Sequence, residues 1–298
     1  MYLWQAHTLS AGLDFQHWGG HIWNTGKADP SQISSEARHH VNEIAGYVMM
    51  QQGFFDDILN INGGVRLQHG STYGNVWVPQ AGLVVRPGRE AQIKASFSKG
   101  FRSPNIRELY LYAPANPDLR PEYMLNYELS YRQYFLKSRL MVGAALYYID
   151  GKNMIQTTMV DGRPHNVNTG AFVNKGFELE GAYSILDNLR AYAAWSYLHT
   201  DSKNLYSPKN KLNAEVTYSP GPFALTLEEM SIWSMENGKP DGRENYSLLN
   251  FRAAYTLGQA VPVTLSVKVD NITNKHYQII YGCPMPGTTV MGGVEFKF

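Results

Sequence analysis

Val263-Thr264-Leu265-Ser266-Val267-Lys268-Val269-Asp270 alternates without a slip, with aliphatic side chains at the odd positions and hydroxyl or ionic ones at the even positions. Successive side chains of an extended strand point to opposite faces, so this octet predicts a strand that is greasy on one side and charged on the other. The pattern recurs upstream: Leu125, Tyr127, Leu129 and Tyr131 against Asn126, Glu128, Ser130 and Arg132, then Phe177, Leu179 and Tyr183 against Glu178, Glu180 and Ser184. It recurs downstream in Leu249, Phe251, Ala253 and Tyr255 against Asn250, Arg252 and Thr256, and in Val290, Val294, Phe296 and Phe298 against Glu295 and Lys297.

Counted along the chain, the alternation predicts about fourteen strands of roughly 10 to 13 residues, where a tilted membrane strand needs about 9 to 11 and a globular strand averages about 5 to 6. The connections carry a second signal. Short turns are expected near Phe55-Asp56-Asp57, Arg86-Pro87-Gly88-Arg89, Leu136-Lys137-Ser138, Leu186-Asp187-Asn188, Ser219-Pro220-Gly221-Pro222 and Leu257-Gly258-Gln259. Between them, longer polar connections are expected around residues 19–39, 100–122, 151–170, 200–209, 233–244 and 271–286, with a brief one at 70–74. Tight turns on one rim and extended loops on the other characterise transmembrane antiparallel β-barrels, with the tight turns in the periplasm. The fold class is therefore all-β, a transmembrane antiparallel β-barrel. A soluble sandwich or propeller would also alternate, but with shorter strands and evenly spaced turns.

Composition agrees. Of 298 residues only 17% are charged, whereas 20 are tyrosine, and soluble domains carry roughly 25% charge. No apolar run approaches the length of a helical span, which leaves membrane strands as the way across. A charge facing lipid is costly, so Arg66, Glu128, Arg132, Glu178, Glu180, Glu215, Arg252, Lys268, Glu295 and Lys297 are expected on the inner face. A net charge of +1 offers no field for nucleic acid. The single cysteine, Cys283, excludes an internal disulfide. The histidines are scattered without zinc spacing, Met49-Met50 reads as filler rather than a copper site, and no catalytic constellation is present, so neither an enzyme nor a resident metal or cofactor is expected.

The stretch Gly100-Phe101-Arg102-Ser103-Pro104, with Arg107-Glu108-Leu109-Tyr110 and then Asn116-Pro117-Asp118-Leu119-Arg120-Pro121-Glu122, resembles the strand-to-loop segment of TonB-dependent outer-membrane receptors. Asn174-Lys175-Gly176-Phe177-Glu178-Leu179-Glu180 is similar to the same family's Gly-x-Glu-x-Glu strand, and Val269-Asp270-Asn271-Ile272-Thr273-Asn274-Lys275-His276-Tyr277 to its penultimate-strand exit. The resemblance spans essentially the whole chain. It implies the carboxy-terminal part of a 22-strand barrel in the outer membrane of a Gram-negative bacterium, importing a scarce chelate such as a ferric siderophore or cobalamin.

The family's plug domain, through which the TonB protein acts, and a signal peptide are not seen in residues 1–298, which are expected to be one partial barrel domain. The implied partners are outer-membrane lipids, TonB through that plug, the barrel-assembly machinery through the terminal Phe298, and a metal chelate or vitamin as cargo. Haem falls behind because residues 105–115 hold no histidine. Candidate cargo contacts are Arg102, Asn105, Arg107, Tyr110, Tyr112 and Asn116. The alternative is a passive porin of about fourteen strands.

Overall fold

In a computed structural model, residues 5–25, 33–111, 114–201, 206–240, 242–258 and 261–297 are described. Fourteen strands form a sheet whose order is the chain order. They are β1 Gln5–Thr25, β2 Ile33–Phe54, β3 Leu59–Gly70, β4 Gly74–Val85, β5 Ala91–Arg102, β6 Glu122–Phe135 and β7 Leu140–Val160, followed by β8 Arg163–Leu186, β9 Leu189–Thr200, β10 Pro208–Tyr218, β11 Phe223–Met235, β12 Glu244–Leu257, β13 Val263–Asp270 and β14 Thr289–Phe296. One short helix, α1 Ile106–Tyr110, interrupts them. Two units emerge, one from residues 1–86, 94–128 and 148–173, the other from 87–93, 129–147 and 174–298.

In the second unit the antiparallel register tests the two-faced reading directly, because directly opposed residues share a face. One row runs Glu178, Ser196, Lys211, Ile232, Tyr246; the next runs Ala182, Tyr192, Glu215, Glu228, Asn250; a third runs Ser184, Arg190, Thr217, Thr226, Arg252, Lys268, Met291. The charges Glu178, Glu215, Arg252 and Lys268 thus fall on one face, with Glu180 on it too, salt-bridged to Arg132 at 2.6 Å. Offset by one residue, the opposite face reads Tyr183, Ala191, Val216, Leu227, Phe251, Val269, Val290.

The first unit repeats the arrangement. Gly12, Tyr47, Arg66 and Val78 form an inner row, where Arg66 pairs with Asp14, and Leu13, Gly46, Leu67 and Trp77 form an outer one. Leu13 is 84% exposed and Leu129 50%. Apolar area left open on so many strands needs lipid against it, since water would favour its burial. Among the described residues the buried apolar ones are few, Val41, Ala45, Leu109 and Leu119 in the first unit and Ala182, Ile232, Met235, Tyr246 and Leu248 in the second.

The expected turns at 55–57 and 136–138 are each built of three consecutive non-glycine residues at positive φ, between 53° and 67°. Two expected loops are instead strand. β1 and β2 stay paired from His17 opposite Asn42 out to Thr25 opposite Ile33. β7 and β8 run on to a two-residue turn, Asp161-Gly162, with φ of 50° and 73°. That is the turn geometry whose twist matches paired strands. Apolar alternation is imposed by lipid, whereas the backbone ladder is not, so strands that continue past the bilayer lose the sequence pattern and keep the hydrogen bonds.

Candidate functional site

The chain leaving β5 carries the expected cargo-facing residues. Pro104 ends ladder pairing, and Asn105 then caps α1: its side chain accepts from Glu108 N at 2.9 Å while Glu108 Oε2 accepts from Asn105 N at 2.9 Å. Asn-x-x-Glu at this spacing is a capping box, which satisfies two backbone donors reciprocally and lets five residues hold a helical turn.

Arg102 is fully engaged within the segment. Its Nε donates to Glu122 Oε2 at 2.6 Å, and Nη1 and Nη2 donate to the two oxygens of Glu108 at 2.9 and 3.1 Å. Glu122 in turn accepts from Ile155 N at 2.7 Å, tying the first residue of β6 to β7. The guanidinium fork therefore clamps α1 to the strands on either side of the loop.

Asn116 closes the loop's far end. Its Nδ2 donates to Asn166 O at 2.8 Å, its Oδ1 accepts from Asp118 N, and its own N–H donates to Glu108 O at 2.9 Å. Buried Asn166 accepts from Thr157 Oγ1 at 2.9 Å, and Asn168 exchanges hydrogen bonds with both backbone groups of Arg120 at 2.8 Å. Leu109, 1% exposed, and Leu119, 3%, are the apolar pins beneath.

Two of the expected residues stay outside this web. Arg107 is exposed and has no ion-pair partner among the described residues. Tyr110 stacks on His39 with ring centroids 3.8 Å apart and planes 3° from parallel. Tyr112 lies outside the described residues, as does Phe298.

His39 comes from β2, 71 positions upstream of Tyr110, and a histidine without metal-ligand spacing gives no hint of the stack. Glu108, Glu122, Asn166 and Asn168 were likewise not singled out as site residues, although the Asn105-x-x-Glu108 spacing is a readable cap signal.

Beside the segment, a polar relay crosses the inner face: Arg66 Nε donates to Gln68, Gln68 Nε2 donates to Tyr73 Oη at 2.8 Å, and Tyr73 donates to Glu43 Oε1 at 2.8 Å. Burial, reinforced by the Glu43 carboxylate, pushes the Tyr73 phenol above its ordinary range, so it remains a donor. Among the described residues no group of His, Cys, Asp and Glu converges to hold a metal ion.

The family model described as "TonB dependent receptor-like, beta-barrel" matches residues 2–272. The vitamin B12 transporter BtuB of Vibrio vulnificus is 24% identical over 282 residues, covering 92% of this chain and 44% of that protein. The iron-regulated outer membrane virulence protein of Vibrio cholerae is 23% identical over 340 residues, covering 98% and 49%. Among solved structures, a ferric enterobactin receptor mutant from Pseudomonas aeruginosa superposes with a TM-score of 0.80 at 14% identity, over 99% of this chain and 52% of that one. The chain spans about half the length of the curated relatives it matches.

Proposed function

The chain belongs to the TonB-dependent receptor-like β-barrel family, and from that premise we propose that it is barrel wall and cargo-facing loop of an energised importer for a ferric siderophore or cobalamin. The family consists of outer-membrane receptors and transporters rather than enzymes. The observation that carries the proposal is the clamped segment 102–122. Arg102, Asn105 and Asn116 are spent on holding its shape, and Arg107 and the Tyr110–His39 stack are left free to meet a solute.

A guanidinium beside stacked aromatic rings suits a planar or anionic chelate, by charge-assisted hydrogen bonding and by ring contact. Tyr112 is proposed as a further cargo contact. TonB would supply the work through a plug domain, and Phe298 would be the address for barrel assembly.

The test is growth rescue. The gene encoding this chain is expressed in a Gram-negative host stripped of its own siderophore and cobalamin receptors, and supplied in turn with ferric catecholates, ferric hydroxamates and cyanocobalamin. Rescue by one class, lost when tonB is deleted and needing at least about tenfold more cargo for half-saturation in Arg107→Ala, supports the reading. Rescue that survives tonB deletion, together with a stable ohmic channel in planar bilayers, would replace it with the passive porin.

A further inference from the structure

On β11 a carboxylate breaks the segregation of faces. Glu229 lies opposite Ala214 on β10 and Leu249 on β12, in register with Leu225 and Leu227 of its own strand and therefore on the apolar face. Its Oε1 accepts from Ser247 Oγ at 2.5 Å and from Ser231 Oγ, while Oε2 has no partner among the described residues. From Phe223, next to the short turn, six residues at about 3.3 Å each and a tilt near 40° lift Glu229 roughly 15 Å, inside an apolar band about 25 Å tall. Trp233 then marks the upper edge of that band. A polar group held there is expensive and calls for a partner.

The same face offers the rest of a site. Ala193 is opposite Ala214, which is opposite Glu229, so two strand spacings, about 10 Å, separate Ala193 from the carboxylate. At Ala193 begins an apolar groove of about 560 Å³, floored by Gly181 and Ala193 and walled by Tyr131, Phe135, Leu179 and Trp195. We propose that this groove seats one acyl chain of a membrane lipid, and that Glu229 Oε2 accepts a hydroxyl borne on that chain.

Width selects the occupant. The rows flanking the floor, Leu179–Trp195–Leu212 and Tyr183–Ala191–Val216, are four residues apart along each strand, about 13 Å between Cα positions before their side chains narrow the gap. A helix about 10 Å across cannot reach that floor. A second copy of this chain meeting across a two-fold axis would set Glu229 against Glu229, like charge on like. An ammonium donor would add its own desolvation cost, which a neutral hydroxyl avoids.

The test uses the whole protein in nanodiscs made from equal parts of dimyristoyl phosphatidylcholine and its 3-hydroxymyristoyl counterpart, released into a native mass spectrometer. Retention of the hydroxylated lipid over the plain one by on the order of fivefold is expected, the worth of one hydrogen bond. Glu229→Leu should bring that ratio to about one without abolishing retention, whereas Ala193→Leu should abolish retention of both lipids. Heat-modifiable mobility on gels reports whether each variant is folded. Should Ala193→Leu not fold, quenching of tryptophan emission by brominated acyl chains, measured in otherwise unaltered protein with and without Trp195→Phe, carries the groove limb. A ratio near one in the unaltered protein, a ratio indifferent to Glu229→Leu, or a dimer of this chain that Glu229→Leu dissolves would each overturn the assignment.

Discussion

Asn166 shows how much a single amide contributes in this fold. Only 8% exposed, it accepts from Thr157 and reaches the carbonyl of Glu108, while its own backbone groups hold Pro114 and Asn116. Asn166→Ala leaves the Thr157 hydroxyl without its acceptor and should cost about 1 to 2 kcal/mol. The expected outcome is a lower urea midpoint for heat-modifiable mobility together with faster protease cleavage between residues 102 and 122; unchanged cleavage would show that the loop holds without it. At this scale the sequence was partly readable. Arg102, Asn105 and Asn116 stand out by their place in an ordered motif, but a motif does not say whether a side chain faces cargo or braces the backbone. That distinction rests on partners from β6, β7 and β8, up to 58 positions away in the case of Asn166 and Glu108.

Among the elements, the hairpin turns carry a testable conformational demand. Ser138 closes the turn between β6 and β7 at φ of 67°, and its side chain makes no hydrogen bond among the described residues that would compensate. A left-handed residue other than glycine or asparagine costs roughly 1 to 2 kcal/mol, and more when β-branched. Ser138→Val should therefore destabilise by at least about 1 kcal/mol, whereas Ser138→Gly should be neutral or slightly stabilising because relief of strain offsets the freer unfolded chain. Equal midpoints for the two variants would contradict this. The strands themselves were legible wherever lipid forces alternation, as in β13. They were not legible in the outer reaches of β1, β2, β7 and β8, where apolar residues come in adjacent pairs such as Ile22-Trp23 and Met154-Ile155, or singly like Val167, so the alternation lapses and the backbone ladder persists.

For the molecule as a whole, the governing property is the separation of faces, and neighbouring positions on β11 test it. Leu227 sits opposite Phe251 on the apolar side, and Glu228 sits opposite Glu215 on the ionic side. Leu227→Arg should cost roughly 2 to 4 kcal/mol if it lies near the middle of the bilayer. Glu228→Arg, one residue along, should be tolerated because it meets the Glu215 carboxylate. The folded fraction after assembly into outer membranes, read by gel mobility, distinguishes the two; comparable losses would mean that the faces are not solvated differently. The sequence foretold this division from the charges of the other strands but named neither Glu228 nor Glu229 of β11, because two adjacent carboxylates reveal their faces only once the register is known.

The hairpin of β7 and β8 joins strands of 21 and 24 residues through Asp161-Gly162. A bilayer consumes about 9 to 11 residues of each, so close to half of either strand stands clear of the lipid as a cross-linked ribbon roughly 30 Å long. Such a ribbon would be the first part of the protein that an antibody or a phage tail encounters on an intact cell. A tag inserted between Asp161 and Gly162 should be stained on living bacteria without permeabilisation, while the same tag beside Ser138 should stay hidden until the envelope is opened.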